Sequence, residues 1–364
     1  MDKIIKYIDV MIPMQACTLR CSYCYLSQVN HSFSGGLPHF DFDAKFFRKA
    51  LSKQRVKGVA RINLCGDGET MLIPDLIDFV QELLNEGHWV DIVTNGTVTK
   101  TMNQLTLLPS DYKQRLFLKI SLHYIELKKR NMLDSFFQNI DTIRKSGISF
   151  SLLLTGSDDY IPYIDEIKRV CIEHVGALPH VSFARNDDKP YAPLQSKYKQ
   201  NEYHKLWSQF DSALLTFQNQ IFGIKRKEFC MGGAWTYVLN MQTGELRNCH
   251  NSLVIQNIYE NLTEPIKEEA IGHFCRARHC VCGPIWLTLG AIPEMETPLY
   301  SEIRNRICAD GTEWLTAAQK EAMSIKLANG NNKPTMSYKL QADTHTFLKI
   351  YIPKIKRRIH KIFK

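Results

Sequence analysis

Three cysteines fall within eight residues, in the run Cys17-Thr18-Leu19-Arg20-Cys21-Ser22-Tyr23-Cys24. Thiolates at this spacing on one loop can hold three corners of a cubane [4Fe–4S] cluster and leave the fourth iron without a protein ligand, open to chemistry. A structural zinc ion needs a fourth ligand, and the nearest candidate is His31. A second group, Cys230, Cys249, Cys275, Cys280 and Cys282, has enough thiolates to close another four-ligand site, either [4Fe–4S] or zinc. Cys65, Cys171 and Cys308 stand alone and are expected to be small buried residues. Eleven cysteines in a chain with no export signal fit metal ligation better than a disulfide framework, because cytosolic thiols stay reduced.

The elements that must position these residues alternate regularly. Short apolar runs predict strands over 9–16, 59–65, 88–93, 116–122, 148–155 and 180–184. Helix-period segments lie between them at 42–56, 74–86, 126–145 and 163–174, with Pro74 suited to a first turn and Gly147 to the position just past a helix end. Such units imply parallel strands joined by right-handed crossovers, six of them, fewer than the eight of a closed barrel. The site belongs at the C-terminal ends of the strands, and the first cysteine loop directly follows the first strand. Beyond residue 186 the rhythm changes. A polar linker or lid covers 186–200, a helix 201–220, and a hairpin 235–249 turns at Gln242-Thr243-Gly244. A further helical stretch is expected over 311–331 and a loop over 329–334. The expected fold class is α/β, a partial (β/α)6 TIM-like barrel with a smaller C-terminal cysteine-rich domain. Its expected boundaries are 1–190 for the barrel, 191–229 for a linker and helix, 230–310 for the cysteine-rich region and 311–364 for a helical tail.

Composition excludes several classes. The 364 residues are 44% hydrophobic and 23% charged, and no uninterrupted apolar stretch is long enough to span a bilayer, so the chain reads as globular and cytoplasmic. The net charge of +9 is concentrated at the end. Seven basic residues and no acidic one follow Phe347, leaving the remainder close to neutral and arguing against a nucleic-acid-binding face. Ile355, Ile359, Ile362 and Phe363 recur at helical spacing among Lys354, Lys356, Arg357, Arg358, Lys361 and Lys364. This pattern suits a basic amphipathic helix peripheral to an anionic membrane surface.

The first cysteine loop, with aromatic Tyr23 just before the third cysteine, closely resembles the signature loop of the radical S-adenosylmethionine superfamily. Gly66-Asp67-Gly68-Glu69-Thr70 looks like that family's glycine-rich segment, with Thr70 where a proline is usual and Asp67 where a glycine is common. Thr94-Asn95-Gly96, Ser121 and His123 resemble positions where the family touches the methionine and ribose of the cosubstrate. The resemblance covers 5–190 and implies the partial (β/α)6 barrel counted above. It also implies a catalytic [4Fe–4S] cluster on Cys17, Cys21 and Cys24 whose open iron is chelated by S-adenosylmethionine, with Tyr23, Gly66, Asp67, Gly68, Glu69, Asn95 and Ser121 binding that cosubstrate. An external electron donor drives reductive cleavage in such enzymes, and the resulting 5′-deoxyadenosyl radical takes a hydrogen atom from the substrate.

Cys230, Gly244 and Cys249 are similar in spacing to the opening of the SPASM or twitch extensions of this superfamily, whereas Cys275, Cys280 and Cys282 depart from the usual continuation. The resemblance implies one auxiliary [4Fe–4S] cluster on Cys230, Cys249, Cys275 and Cys280, with Cys282 a substitute ligand or a buried neighbour. Such a cluster can accept the electron left by substrate oxidation. That role implies an oxidoreductase-type enzyme, and the sixteen residues before Cys17, too few for a leader-binding domain, point to a small polar or carbohydrate-like substrate. A peptide-modifying SPASM maturase and a non-catalytic zinc-binding scaffold are the alternatives. Glu69, His123, Asp187, Asp188 and His250 are equivalent as catalytic acid or base, so none is selected.

Overall fold

The structure, a computed structural model, describes residues 3–28, 33–189, 191–250, 252–280 and 283–362, the last ten by backbone alone. His31, Cys282 and the side chains of the basic stretch 354–364 lie outside the described residues.

Six strands build the barrel wall: β1 (Ile4–Ile12), β2 (Val59–Gly66), β3 (Trp89–Thr94), β4 (Leu116–Ser121), β5 (Ser149–Gly156) and β6 (His180–Phe183). Three more follow, β7 (Thr236–Asn240), β8 (Glu245–Arg247) and β9 (Val254–Asn257). The order across the sheet is β6-β5-β4-β3-β2-β1-β7-β8-β9. The first six are parallel neighbours in sequence order, and helices pack outside them, so the barrel is open between β6 and the far edge, as six βα units require. Pro13 ends β1 four residues before Cys17, because it has no N–H for the ladder. The hairpin does not form a separate sheet. β7 pairs parallel with β1, from Tyr7 opposite Thr236 to Met11 opposite Asn240, and β8 and β9 continue antiparallel from it. Gly244 carries this turn at φ 75°, where a Cβ would sit 2.5 Å from Tyr259 and Asn257 atoms.

Helices are shorter than their apolar periods suggest. The 126–145 pattern splits into Tyr124–Lys129 and Leu133–Lys145 at Asn131 (φ 56°), and 201–220 splits into Gln200–Trp207 and Ala213–Ile221 at Asp211 (φ 46°). Asp75, also left-handed, starts the Leu76–Asn85 helix, which leaves Pro74 outside the first turn. Only Ala317–Met323 is α-helical within 311–331, and the final helix, Met336–Ile362, starts before Pro353 and runs through it. No described helix is long and apolar enough to cross a membrane.

Arg55 joins the barrel to the extension. Its buried guanidinium donates to the carbonyls of Ala50, Ile258, Asn261 and Glu264 at 2.6–2.9 Å. Arg55→Met leaves these acceptors without their charged donor, so urea unfolding should report a loss of roughly 2–4 kcal/mol.

Candidate functional site

Side chains alternate across a strand, so one set from each of β2 to β6 faces the barrel interior. Near the strand ends these are Cys65, Val93, Ser121, Thr155 and Ser182, which help line a cavity of about 360 Å³. Cys17, Cys21, Cys24 and Tyr23 form another wall of the same cavity, with Gly66, Gly68, Glu69 and Asn95. Of the residues singled out in the sequence for the first site, Asp67, Thr70 and Gly96 do not line it. Asp67 has a backbone role. Its N–H instead extends the β1–β2 pairing by donating to Ile12 O at 2.9 Å.

The cysteine loop is held from below by backbone. Glu69 N–H donates to Ala16 O at 2.9 Å, and Gly68 presses so closely on the same carbonyl that a Cβ would lie 2.1 Å from it. This close approach is the physical reason for glycine at 68. Glu69 serves the same fastening. One carboxylate oxygen accepts from Thr94 Oγ1 (2.6 Å) and Met71 N–H (3.0 Å), and the other accepts from Asn95 N–H (2.6 Å). Burial raises its pKa although three donors oppose the shift. Its carboxylate therefore clamps the end of β3 to the glycine-rich turn and has little capacity left for a ligand. Asn95 in turn donates to Thr18 Oγ1 at 2.8 Å and reaches Cys17 Sγ at 3.7 Å.

Tyr23 is anchored by its hydroxyl, which shares hydrogen bonds with His123 Nδ1 (2.6 Å) and Tyr160 (2.5 Å). Neither the spacing nor the composition marked Tyr160; it is distant in sequence and carries no motif. Burial pushes the His123 imidazole down to about 4, and burial with neighbouring Cys24 pushes the Cys21 thiol up to about 12. Among the described residues, no three His, Cys, Asp or Glu side chains form a group that could hold a metal ion. The three thiols of the first loop share a cavity wall; three thiolates on one loop can each take an iron of a [4Fe–4S] cluster, whereas a structural zinc ion needs a fourth ligand.

The other isolated cysteines divide. Cys171 and Cys308 are buried as expected, whereas Cys65 is only partly buried because the end of β2 opens onto the cavity. Asp187 pairs with Arg185 at 3.6 Å, and His250 bonds Asp9 at 3.0 Å, so both acid–base candidates have structural partners. Asp188 is exposed to solvent.

The second cysteine group also gathers. Cys249 and Cys275 line a cavity of about 340 Å³ together with Arg276, His279, Thr346 and Lys349, the last two from the final helix. Burial, reinforced by Cys275, pushes the Cys230 thiol up to about 12. Cys230 and Cys280 pack against one small cluster of Phe217, Ile221, Leu287 and Ile292. The helix Gly283–Thr288 follows directly, and its Pro284 and Ile285 form part of the first cavity, so the two cysteine regions adjoin.

No protein-family model and no curated protein matches the chain. Among solved structures it is similar to SuiB from Streptococcus suis, solved bound to S-adenosylmethionine, with 15% identity and a TM-score of 0.50 over 71% of this chain and 64% of that one. The chain thus spans less than two thirds of that protein's length. It is also similar to anSMEcpe, solved with AdoMet and a Cp18Cys peptide, at 14% identity and TM-score 0.46 over 71% of this chain and 79% of that one.

Two outcomes test this geometry. Gly68→Ala should lower stability by roughly 1–3 kcal/mol and speed thiol labelling of Cys17, Cys21 and Cys24, as the loop is pushed off the turn. Because His123 is neutral when folded, it binds fewer protons than in the unfolded chain between pH 6.5 and about 4. Stability should fall as pH falls through that window, less steeply in His123→Phe when followed by urea titration. In architecture, the chain is an open barrel of six βα units, a fold similar to that of SuiB.

Proposed function

We propose that the chain is a radical S-adenosylmethionine enzyme of oxidoreductase type, acting on a small polar or carbohydrate-like substrate with an auxiliary cluster as electron acceptor. The observation that carries this reading is the single cavity at the strand ends onto which Cys17, Cys21 and Cys24 open beside Gly66, Gly68, Asn95 and Ser121. Its residues fit a [4Fe–4S] cluster with one iron left for the cosubstrate. When bound, that cluster supplies the electron that cleaves S-adenosylmethionine, and the radical so released removes a hydrogen atom from the substrate.

The chain's own part is to hold, orient and exclude water. Asn95 and the Gly66-Asp67-Gly68-Glu69 turn hold the cysteine loop, while the carbonyls of that turn are acceptors for a cationic ammonium. The Tyr23–His123–Tyr160 contacts fix the loop's far side, and neutral His123 adds no positive charge there. Thr155 and Ser182, on the opposite wall, supply hydroxyls for a polar substrate. Cys230, Cys249, Cys275 and Cys280 are the ligand set for the second cluster, and the Gly283–Thr288 helix between the regions favours electron transfer over a remote structural role.

Anaerobic reconstitution tests the proposal. The expected product is brown protein with about eight irons per chain, two cubanes' worth, whose dithionite-reduced EPR signal changes when S-adenosylmethionine is added. Cys17→Ala/Cys21→Ala/Cys24→Ala should retain about half the iron and lose that response. Colourless zinc protein, or a wild-type signal indifferent to S-adenosylmethionine, overturns the reading.

A further inference from the structure

Arg304 presents a buried charge without a countercharge. It is 4% exposed, it lines the cavity described above, and its Nε and Nη1 have no hydrogen-bond partner. Arg61 and Arg306 each also leave Nε unpartnered, but their terminal nitrogens are engaged. Arg61 donates to Asp91 and Gln319, and Arg306 donates to the carbonyls of Pro179, Phe210 and Asp211.

The carboxylates inside the barrel are already engaged. Asp91 faces Arg61 at 2.8 Å, Lys119 at 3.5 Å and the Tyr300 hydroxyl at 3.4 Å. Asp9 accepts from Asn63 at 2.5 Å and bonds His250 at 3.0 Å. Among the described residues no ion pair includes Arg304, and its aromatic neighbour Tyr300, 5.4 Å from the guanidinium, offers only a ring face. An uncompensated buried cation is costly, and a rigid guanidinium fork is suited to a planar or tetrahedral oxyanion. Arg304 sits away from the cysteine loop, since its electrostatic neighbours include Tyr7 on β1 and His180, the first residue of β6. Thr155 and Ser182 line the cavity on the same β5–β6 side.

We infer that Arg304 receives an oxyanion of the substrate, a carboxylate or a phosphate, at the inner end of the cavity. This rests on the function proposed above and narrows its substrate to an anionic molecule.

Isothermal titration of the anaerobically reconstituted protein tests the inference, with inorganic phosphate and acetate in separate arms, each at saturating S-adenosylmethionine. At least one anion should bind, at least tenfold more weakly to Arg304→Gln, with part of the affinity restored by Arg304→Lys. The stronger arm distinguishes phosphate ester from carboxylate. Without anion, Arg304→Met should melt no lower than wild type, because it removes an unpaired charge. Equal binding by wild type and Arg304→Gln, binding of neither anion, anion binding abolished by S-adenosylmethionine, or a lower melting temperature for Arg304→Met would each overturn it. The EPR response of the same wild-type preparation to S-adenosylmethionine separates the two ideas. A normal response without anion binding defeats only the Arg304 assignment, while a missing response defeats the broader reading.

Discussion

The site depends on backbone pairing that continues past the ends of two parallel strands. β1 and β2 run in register to Ile12 opposite Gly66, and the chain then keeps the two segments together through Asp67 N–H to Ile12 O and Glu69 N–H to Ala16 O. The thiol-bearing loop is therefore not a free excursion. Its first residue is attached to an acceptor that two neighbouring residues contact, one by hydrogen bond and one by a separation only glycine permits. Peptide groups here do double duty, satisfying their own hydrogen bonds and setting where sulfur emerges.

A second consequence follows from parallel geometry. Strands covered on both faces bury nearly all their residues, and β1 and β2 do so with Ile8, Val10, Ile12, Ala60, Ile62 and Leu64 in the main apolar core and Asp9, Arg61 and Asn63 in the alternate positions. The interior is layered by charge. Arg61, Asp91 and Lys119 form a compact network at the level of the strand starts, Asp9, Asn63 and His250 form another, and hydroxyls and thiols take over toward the mouth. Charges below and weaker dipoles above leave the mouth to be set by whatever binds there.

The sheet also explains how two cysteine regions far apart in sequence adjoin. β7 adds to the free edge of β1, so the hairpin, the segment around Cys249 and the helix after Cys280 grow from the strand that feeds the first loop. Arg55 reinforces this by reaching from the barrel's first helical layer to the carbonyls that follow β9. The final helix closes the far side, with Thr346 Oγ1 donating to Ala270 O at 3.1 Å and Asp343 bonding His273.

The strand order and the thiol loop were legible in the sequence because both are local. Apolar runs such as 59–65 and 148–155 coincide with β2 and β5 to within a residue or so, and the spacing of Cys17, Cys21 and Cys24 is a property of one short segment. Helix ends were less legible, since single left-handed residues such as Asn131 and Asp211 interrupt patterns whose apolar period continues through them. Three things required the folded chain. The carboxylate of Glu69 turns away to bind backbone, Tyr160 meets Tyr23 across 137 positions, and Arg304 enters the cavity from a segment with no motif. Spacing along the chain determines which groups can share a loop. Which groups share a cavity, and which buried charge lacks a partner, depends on long-range packing that brings β1, β5, β6 and the C-terminal segment together.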